Sequence, residues 1–195
     1  GGIGRPSTYA PTITTLLGRH YILKENRNLF VTELGETVNA VLFSPDDLNL
    51  IRDGASARRR LMDQAISQLR PGYAALLSDY RRVYENKTRI LRDYRDDPAM
   101  LGALDAFSDS LARLSAKILR YRAAYARRLA ETAAPIHRAF TSGGAEETLT
   151  VAYTTVSTVT DPTASERALY EQICVHQQRH REAELASGLC LTGAH

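Results

Sequence analysis

The sequence has few cysteines and no long apolar run, and each of these features argues against one class of protein. Two cysteines in 195 residues, Cys174 and Cys190, are too few for a disulfide framework and are typical of reduced thiols in a cytoplasmic protein. No run reaches the about 18 consecutive apolar residues that a membrane-spanning helix needs, so we expect no transmembrane span in this sequence. The N-terminus lacks the charged-then-apolar order of a signal peptide. It also lacks an initiator Met, which indicates a piece cut from a longer protein.

Motifs of nucleotide chemistry are missing as well. No Gly-x-x-x-x-Gly-Lys-Ser/Thr phosphate loop occurs, and no Lys directly follows the glycines Gly1, Gly2 and Gly4. The Ser, His and acidic residues do not form a nucleophile-elbow pattern. We therefore expect this stretch of chain to have no catalytic, cofactor-binding or metal-binding residues. It should not be an enzyme and should not bind ATP.

A zinc site is the rival enzymatic interpretation. His176 and His180 lie one helical turn apart, with Glu184 one turn further on, a spacing that can bind zinc. No second predicted helix offers a matching ligand, and the polar run 177–179 is typical of a solvated helix face. The sequence favours the solvated face.

The residue pattern predicts an α+β chain that is mostly helical. Apolar periodicity between the breakers Pro71-Gly72 and Asp97-Pro98 predicts helices at 57–69, 73–94 and 101–139, and a later one at 165–186. Apolar or Thr-rich runs predict strands at 38–43, at 149–156 and from 189. The two longest helices should form a long antiparallel hairpin, an arm attached to a small strand-containing body. The side chains expected to pack between them are Leu76, Leu77, Tyr80, Tyr84, Leu91, Leu111, Leu114, Ile118, Tyr121 and Tyr125.

The formal net charge of +3 averages over unlike segments. Residues 51–140 carry eighteen basic and ten acidic groups, whereas residues 1–50 carry four and five, and residues 141–195 carry three and seven. This asymmetry indicates a polyanionic partner for the middle segment. A solvated helical face with internal ion pairs remains the alternative.

The strongest signal lies on the third predicted helix. Between Leu111 and Ala130 it carries six basic residues and no acidic one. Five of them fall within about 60° of one line on the helix surface. We call these five the basic stripe: Arg113, Lys117, Arg120, Arg127 and Arg128. Such a row repels itself unless a polyanion or the acidic face of a partner neutralises it, so it predicts a phosphate-binding surface.

A second basic cluster, Arg58–Arg60, is less informative. Three successive helical residues spread over about 200°, so they cannot all face one ligand. At least one is expected to pair with a carboxylate such as Asp63. DNA contact and structural ion pairing therefore both remain open for this cluster.

Several motifs in order resemble the RecF family of bacterial recombinational-repair proteins, members of the ABC/SMC-like ATPases. Residues 41–48 (VLFSPDDL) resemble the family pattern V-L-F-x-P-[ED]-D-L, and residues 57–63 (ARRRLMD) resemble R-R-R-F-L-D. Further matches in order are Tyr73, Tyr80, Arg82, Asp109-Ser110-Leu111-Ala112, Arg122, Ile136-His137, Leu149–Tyr153 and the end from Glu184 to His195. The sequence departs from the family at Asn86-Lys87-Thr88, where Gln-Arg-Asn is usual, and at Ala194, where Pro is usual. The resemblance covers about residues 32–195, and residues 1–30 are not assigned a role.

The resemblance implies a fragment without the catalytic motifs, since Walker A precedes this stretch and the ABC signature and Walker B follow it. It implies a partial ATPase-head segment at 1–54, a helical arm at 55–140 and a strand-helix-strand return toward the head at 141–195. The intact family member is a cytoplasmic DNA replication, repair and recombination protein of the SOS response. It binds ATP and Mg, dimerises, binds DNA at gaps and duplex–single-strand junctions, and works with RecR and RecO in loading RecA.

The function expected of this chain is sequence-independent binding of the DNA backbone by the arm. The residues expected to contribute are Arg58, Arg59, Arg60, Arg81, Arg82, Lys87 and the basic stripe. The alternative is a protein-interaction arm, used for homodimerisation or for docking RecR or RecO, with little DNA affinity of its own.

Overall fold

A computed structural model describes residues 14, 17–18, 22–25, 28–31, 54–140 and 148–194. The chain divides into two compact units, Gly1–Asp53 and Gly54–His195. The first contains an antiparallel hairpin of strands β1 (Ile22–Glu25) and β2 (Asn28–Val31). In this hairpin Ile22 pairs with Val31 and Glu25 pairs with Asn28. The predicted division at 1–54, 55–140 and 141–195 stays a prediction.

The second unit consists of four α-helices and one 3₁₀ helix within its described residues. They are α1 (Gly54–Leu69), α2 (Pro71–Asp93), the 3₁₀ helix (Pro98–Ala103), α3 (Leu104–Phe140) and α4 (Glu166–Ser187). Local sequence explains several ends. Pro71 begins α2, the hydroxyl of Ser165 accepts a hydrogen bond from Ala168 N at the start of α4, and Gly188 ends α4 in the left-handed conformation with φ of 69°. Pro135 lies inside α3 and does not end it.

Helix α2 packs antiparallel against the part of α3 between Leu104 and Tyr125. Near the turn that joins them, Leu91 packs with Leu104 and Leu111. At the opposite end, the rings of Tyr73 and Tyr121 meet edge to face with centroids 5.1 Å apart. Contacts between the end of one helix and the start of the next establish the hairpin.

Helix α4 covers a second side of α3. The contact surface of α3 is rich in small residues, with Ala112 and Ala116 beside Leu119, and α4 contributes Leu169 and Ile173. All five side chains are at most 1% exposed. Between Leu111 and Ala126, α3 is buried against α2 on one side and α4 on another, so one side of this part of the helix faces solvent.

The segment that follows α4 turns back into the groove beside α2. Four of its residues, Cys190, Thr192, Gly193 and Ala194, are buried. The hydroxyl of Tyr84 donates to the carbonyl of Cys190 at 3.1 Å, and the amide of Ala194 donates to the hydroxyl of Tyr80 at 2.9 Å. We call residues 190–194 the C-terminal segment. It runs antiparallel to α2 and is held by side chains rather than by a neighbouring strand.

The predicted α+β class with a strand-containing body is wrong, because the described part of the second unit is helical. β1 and β2, in the first unit, are the only strands among the described residues. Residues 149–156 are irregular, and the chain from 189 forms no strand. The strand predicted at 38–43 lies outside the described residues.

The alternating pattern at 149–156 has another physical cause. Tyr153 and Val156 pack on the core between α3 and α4. The hydroxyl of Thr158 donates to the carbonyl of Gln172 at 2.9 Å. Residues 149, 151, 153 and 155 are half-buried and residues 150, 152 and 154 are exposed, and this alternation has the same period of two as a half-buried strand.

None of the described helices has the length and apolar character needed to cross a membrane.

Candidate nucleic-acid interface

All five residues of the basic stripe are exposed along α3. Their position follows from the packing of the helix, since Leu111 and Ile118 face the α2 side and Ala116 and Leu119 face α4. The side chains that remain point to solvent in one row. The five cations therefore lie on one exposed side of α3, as the sequence predicts. Their ligand stays a prediction.

Three members of the stripe have acidic neighbours. Arg113 Nε lies 2.8 Å from Asp109 Oδ2, Lys117 Nζ lies 3.9 Å from Glu166 Oε1, and Arg127 Nε lies 4.0 Å from Glu131 Oε1. Both partners of each pair are at least 42% exposed, so each pair adds little stability.

The side chains of the other two members of the stripe, Arg120 and Arg128, form no ion pair or hydrogen bond with any residue that the structure describes. Glu131, on the same face, lies nearest to Arg127. Three members of the stripe therefore have the intramolecular acidic partner that the sequence left open. Arg120 and Arg128 have no such partner among the described residues.

Lys87 must be removed from the predicted DNA-binding residues. Its side chain is 1% exposed, and its ammonium lies 2.8 Å from Glu184 Oε2 and 3.0 Å from the hydroxyl of Thr192. The other carboxylate oxygen of Glu184 accepts hydrogen bonds from Leu191 N, Thr192 N and the Thr192 hydroxyl. A cation enclosed in this way cannot reach a phosphate. Lys87 instead fixes the C-terminal segment to α2 and α4.

A second buried ion pair joins α1 to α3. Arg122 donates from Nε and Nη2 to the two oxygens of Asp63, both at 2.8 Å, and from Nη1 to the carbonyl of Ala194 at 2.7 Å. The Tyr73 hydroxyl donates to the same carboxylate, and burial together with this bond raises the pKa of Tyr73. Burial likewise raises the pKa of Tyr80 to about 12. Sequence reasoning missed this network, although Arg122 was the one cation on the apolar side of the helix.

Comparisons with known proteins bear on both units. Residues 1–63 match a family model described as DNA topoisomerase. The chain is 35% identical over 162 residues to the DNA replication and repair protein RecF of Synechococcus sp. (strain JA-2-3B'a(2-13)), covering 81% of this chain and 41% of that protein. The RecF of Heliobacterium modesticaldum is 32% identical over 165 residues, covering 85% and 43%, and that of Bacillus mycoides is 34% identical over 169 residues, covering 83% and 42%. The resemblance to RecF is confirmed.

The chain spans about two fifths of the length of the curated RecF relatives that it matches. No solved structure matches it significantly. The names of these relatives connect them with DNA replication and repair.

The arginine run of the RecF-like motif lies on α1, apart from the basic stripe. Arg58 and Arg60 are exposed and Arg59 is half-buried. Both oxygens of the Asp63 carboxylate accept hydrogen bonds from Arg122, and the expectation that at least one of the three arginines pairs with a carboxylate stays a prediction. Whether any of the three contacts DNA stays a prediction.

The two predicted arginines of α2 are also on the surface. Arg81 is exposed, and Arg82 forms an exposed pair with Asp79 at 2.8 Å. They lie on the solvent side of α2, opposite residues such as Lys87 that face the core. Whether these two arginines contact DNA stays a prediction.

The rival zinc interpretation is disfavoured by the same contacts. The Glu184 carboxylate is engaged by Lys87 and Thr192, and His180 Nδ1 lies 2.9 Å from the carbonyl of His176. Within the described ranges, no group of three or more His, Cys, Asp or Glu side chains is arranged to hold a metal ion.

Proposed function

We propose that this chain is a segment of a RecF-like DNA replication and repair protein, and that its basic stripe binds the phosphate backbone of DNA independently of sequence. One observation carries the proposal. The stripe is exposed along one side of α3, and Arg120 and Arg128 have no carboxylate partner among the described residues. The buried cations of the same unit all have one.

The dimensions of the stripe suit a nucleic acid. At about 1.5 Å per residue, the helix rises about 22 Å between Arg113 and Arg128. This is about two thirds of the 34 Å turn of duplex DNA, so several cations can lie along one phosphate track. A row of cations contacts phosphates and carries no base code, which makes the binding independent of sequence.

Properties of the whole protein are proposed on the RecF resemblance. The complete protein binds ATP and Mg through motifs outside this stretch and dimerises on ATP. It acts at gaps and duplex–single-strand junctions together with RecR and RecO. Dimerisation would place two stripes on one DNA molecule and raise the affinity through avidity.

A second candidate function is protein docking. The pairs of Arg113, Lys117 and Arg127 with carboxylates show that the stripe accepts acidic side chains. An acidic surface on RecR, on RecO or on a second copy could occupy it in the same way. In that case DNA affinity would be weak and would not depend on the stripe.

A salt titration separates the two candidates. Binding of labelled duplexes of two unrelated sequences is measured by fluorescence anisotropy between about 50 and 200 mM salt. We expect dissociation constants of about 10⁻⁴–10⁻⁶ M that are equal for the two sequences, and a slope of log affinity against log salt of about −3 to −5, because each phosphate contact contributes about −0.9. Absence of DNA binding at the lowest salt would reject DNA binding and leave protein docking as the better account.

A further inference from the structure

The end of the basic stripe nearest the hairpin turn contacts α4. There the guanidinium of Arg113 lies over the ring of Tyr170, with its carbon 4.8 Å from the ring centre. The hydroxyl of Tyr170 donates to Asp109 Oδ1 at 2.5 Å, and Arg113 Nε donates to Asp109 Oδ2 at 2.8 Å. The three side chains form a closed triangle that joins α3 to α4.

The triangle is built to keep its carboxylate charged. The hydrogen bond from Arg113 and then that from Tyr170 lower the pKa of Asp109, so the carboxylate is ionised at neutral pH. The hydrogen bond to the same carboxylate, with smaller contributions from Cys174 and from burial, raises the pKa of Tyr170 to about 12, so the phenol keeps its proton and donates. Neither bond is lost within the physiological pH range.

Arg113 is therefore oriented before any ligand arrives. Its Nε donates to Asp109 and one face of its guanidinium lies on the Tyr170 ring, yet the side chain is 62% exposed. No described residue accepts a hydrogen bond from its two Nη groups. These two donors form the fork that binds a phosphate in bidentate fashion.

Lys117, one turn along the stripe, is a natural contrast. Its ammonium is 3.9 Å from Glu166, beyond hydrogen-bond distance, and no aromatic ring of the described residues lies against it. Its flexible stem has to be ordered when it binds a phosphate. For Arg113 most of that ordering has already occurred in the folded protein.

We propose that Tyr170 and Asp109 are positioning residues that hold Arg113 as the main phosphate anchor of the basic stripe, so that α4 forms part of the DNA-binding surface. This inference rests on the proposed DNA-binding function. It adds two residues, one of them on α4, outside the segment with excess positive charge. It also ranks the members of the stripe, with Arg113 above Lys117.

A double-mutant cycle on the full chain tests the inference. The variants are Arg113→Ala, Tyr170→Phe and the double variant, with DNA affinity measured at a fixed low salt concentration. We expect Arg113→Ala to weaken binding about tenfold and Lys117→Ala about threefold, the range that ordering one side chain represents. Tyr170→Phe, which keeps the ring and removes the hydroxyl, should weaken binding about threefold in the parent and not at all when Arg113 is Ala.

Two further measurements exclude an indirect effect. Tyr94→Phe is the matched control. It also removes one tyrosine hydroxyl that donates to a residue of α4, in this case to the carbonyl of Leu185, but it changes no contact of the stripe. It should leave DNA affinity unchanged. The Nε–H of Arg113 should exchange slowly with solvent in the free parent protein and rapidly in the Tyr170→Phe variant, as followed by NMR.

The outcomes distinguish the inference from the function on which it rests. If the parent binds DNA with a steep salt slope but Arg113→Ala binds equally well, Asp109 merely neutralises Arg113 and the inference is overturned while the DNA function stands. Equal effects of Tyr170→Phe with and without Arg113 would also overturn it. If the parent shows no salt-dependent DNA binding, both proposals fail.

Discussion

Lys87 and Arg120 both carry a positive charge on a long helix of the same unit, and the structure places them in opposite surroundings. The ammonium of Lys87 is 1% exposed and is held by Glu184 and Thr192. Arg120 is exposed and has no partner among the described residues. The interior therefore uses a cation to fix the C-terminal segment, and the surface displays cations in a row.

Removing a charge has different consequences in the two arrangements. A buried charge is expensive to leave unpaired, so loss of one partner destabilises the fold strongly. Exposed cations in a row repel one another, so loss of one costs the fold almost nothing and reduces affinity for a polyanion. Burial, rather than charge itself, separates the structural cations Lys87 and Arg122 from the exposed candidate binding cations of the stripe.

The largest effect should come from breaking the buried pair. Lys87→Met leaves the Glu184 carboxylate, whose side chain is 4% exposed, without its counter-charge. We expect the free energy of unfolding to fall by about 3–5 kcal/mol, measured by urea denaturation. Arg81→Met on the exposed side of the same helix is the matched control and should change it by less than about 0.5 kcal/mol. Equal stability of the two variants would show that Lys87 is not structural.

A smaller effect should follow from changing the turn that leads into the C-terminal segment. Gly188 has φ of 69°, and a Cβ placed there would lie 3.3 Å from the carbonyl oxygen of Leu91. Gly188→Ala should therefore lower the free energy of unfolding by about 1–2 kcal/mol. Gly72→Ala is the control, because a Cβ there has open space inside the first turn of α2, and this variant should be neutral or slightly more stable. If Gly188→Ala behaves like the control, the close approach to α2 is absent in solution.

Helix positions could be predicted from the sequence because their determinants are local. The end of α1 at Leu69 and the start of α2 at Pro71 follow from the Pro-Gly pair, and the predicted 165–186 helix is observed as α4 because Ser165 caps it and Gly188 ends it. The exposed row of the basic stripe followed from helical periodicity in the same way.

The lack of a strand at 149–156 and the partners of the buried charges could not be predicted, because both depend on residues that are distant in sequence. The Arg122–Asp63 bond spans 59 residues and the Lys87–Thr192 bond spans 105. A count of charges along the sequence treats Lys87, Arg81 and Arg82 alike. The triangle of Arg113, Asp109 and Tyr170 likewise needs α4 to pack on α3, and only the alanines of α3 hinted at a second close helix.

The distinction between buried structural cations and exposed binding cations is tested most directly by the Arg120→Ala/Arg128→Ala double variant. This variant is examined by salt titration of DNA binding and by urea denaturation. Both side chains are exposed and Ala is the better helix former, so the free energy of unfolding should stay within about 0.5 kcal/mol of the parent. The slope of log affinity against log salt should become shallower by about two units, at about 0.9 per lost phosphate contact. If the double variant instead binds duplex DNA with the parent's affinity and slope, the basic stripe is not the DNA site, and protein docking becomes the better account of it.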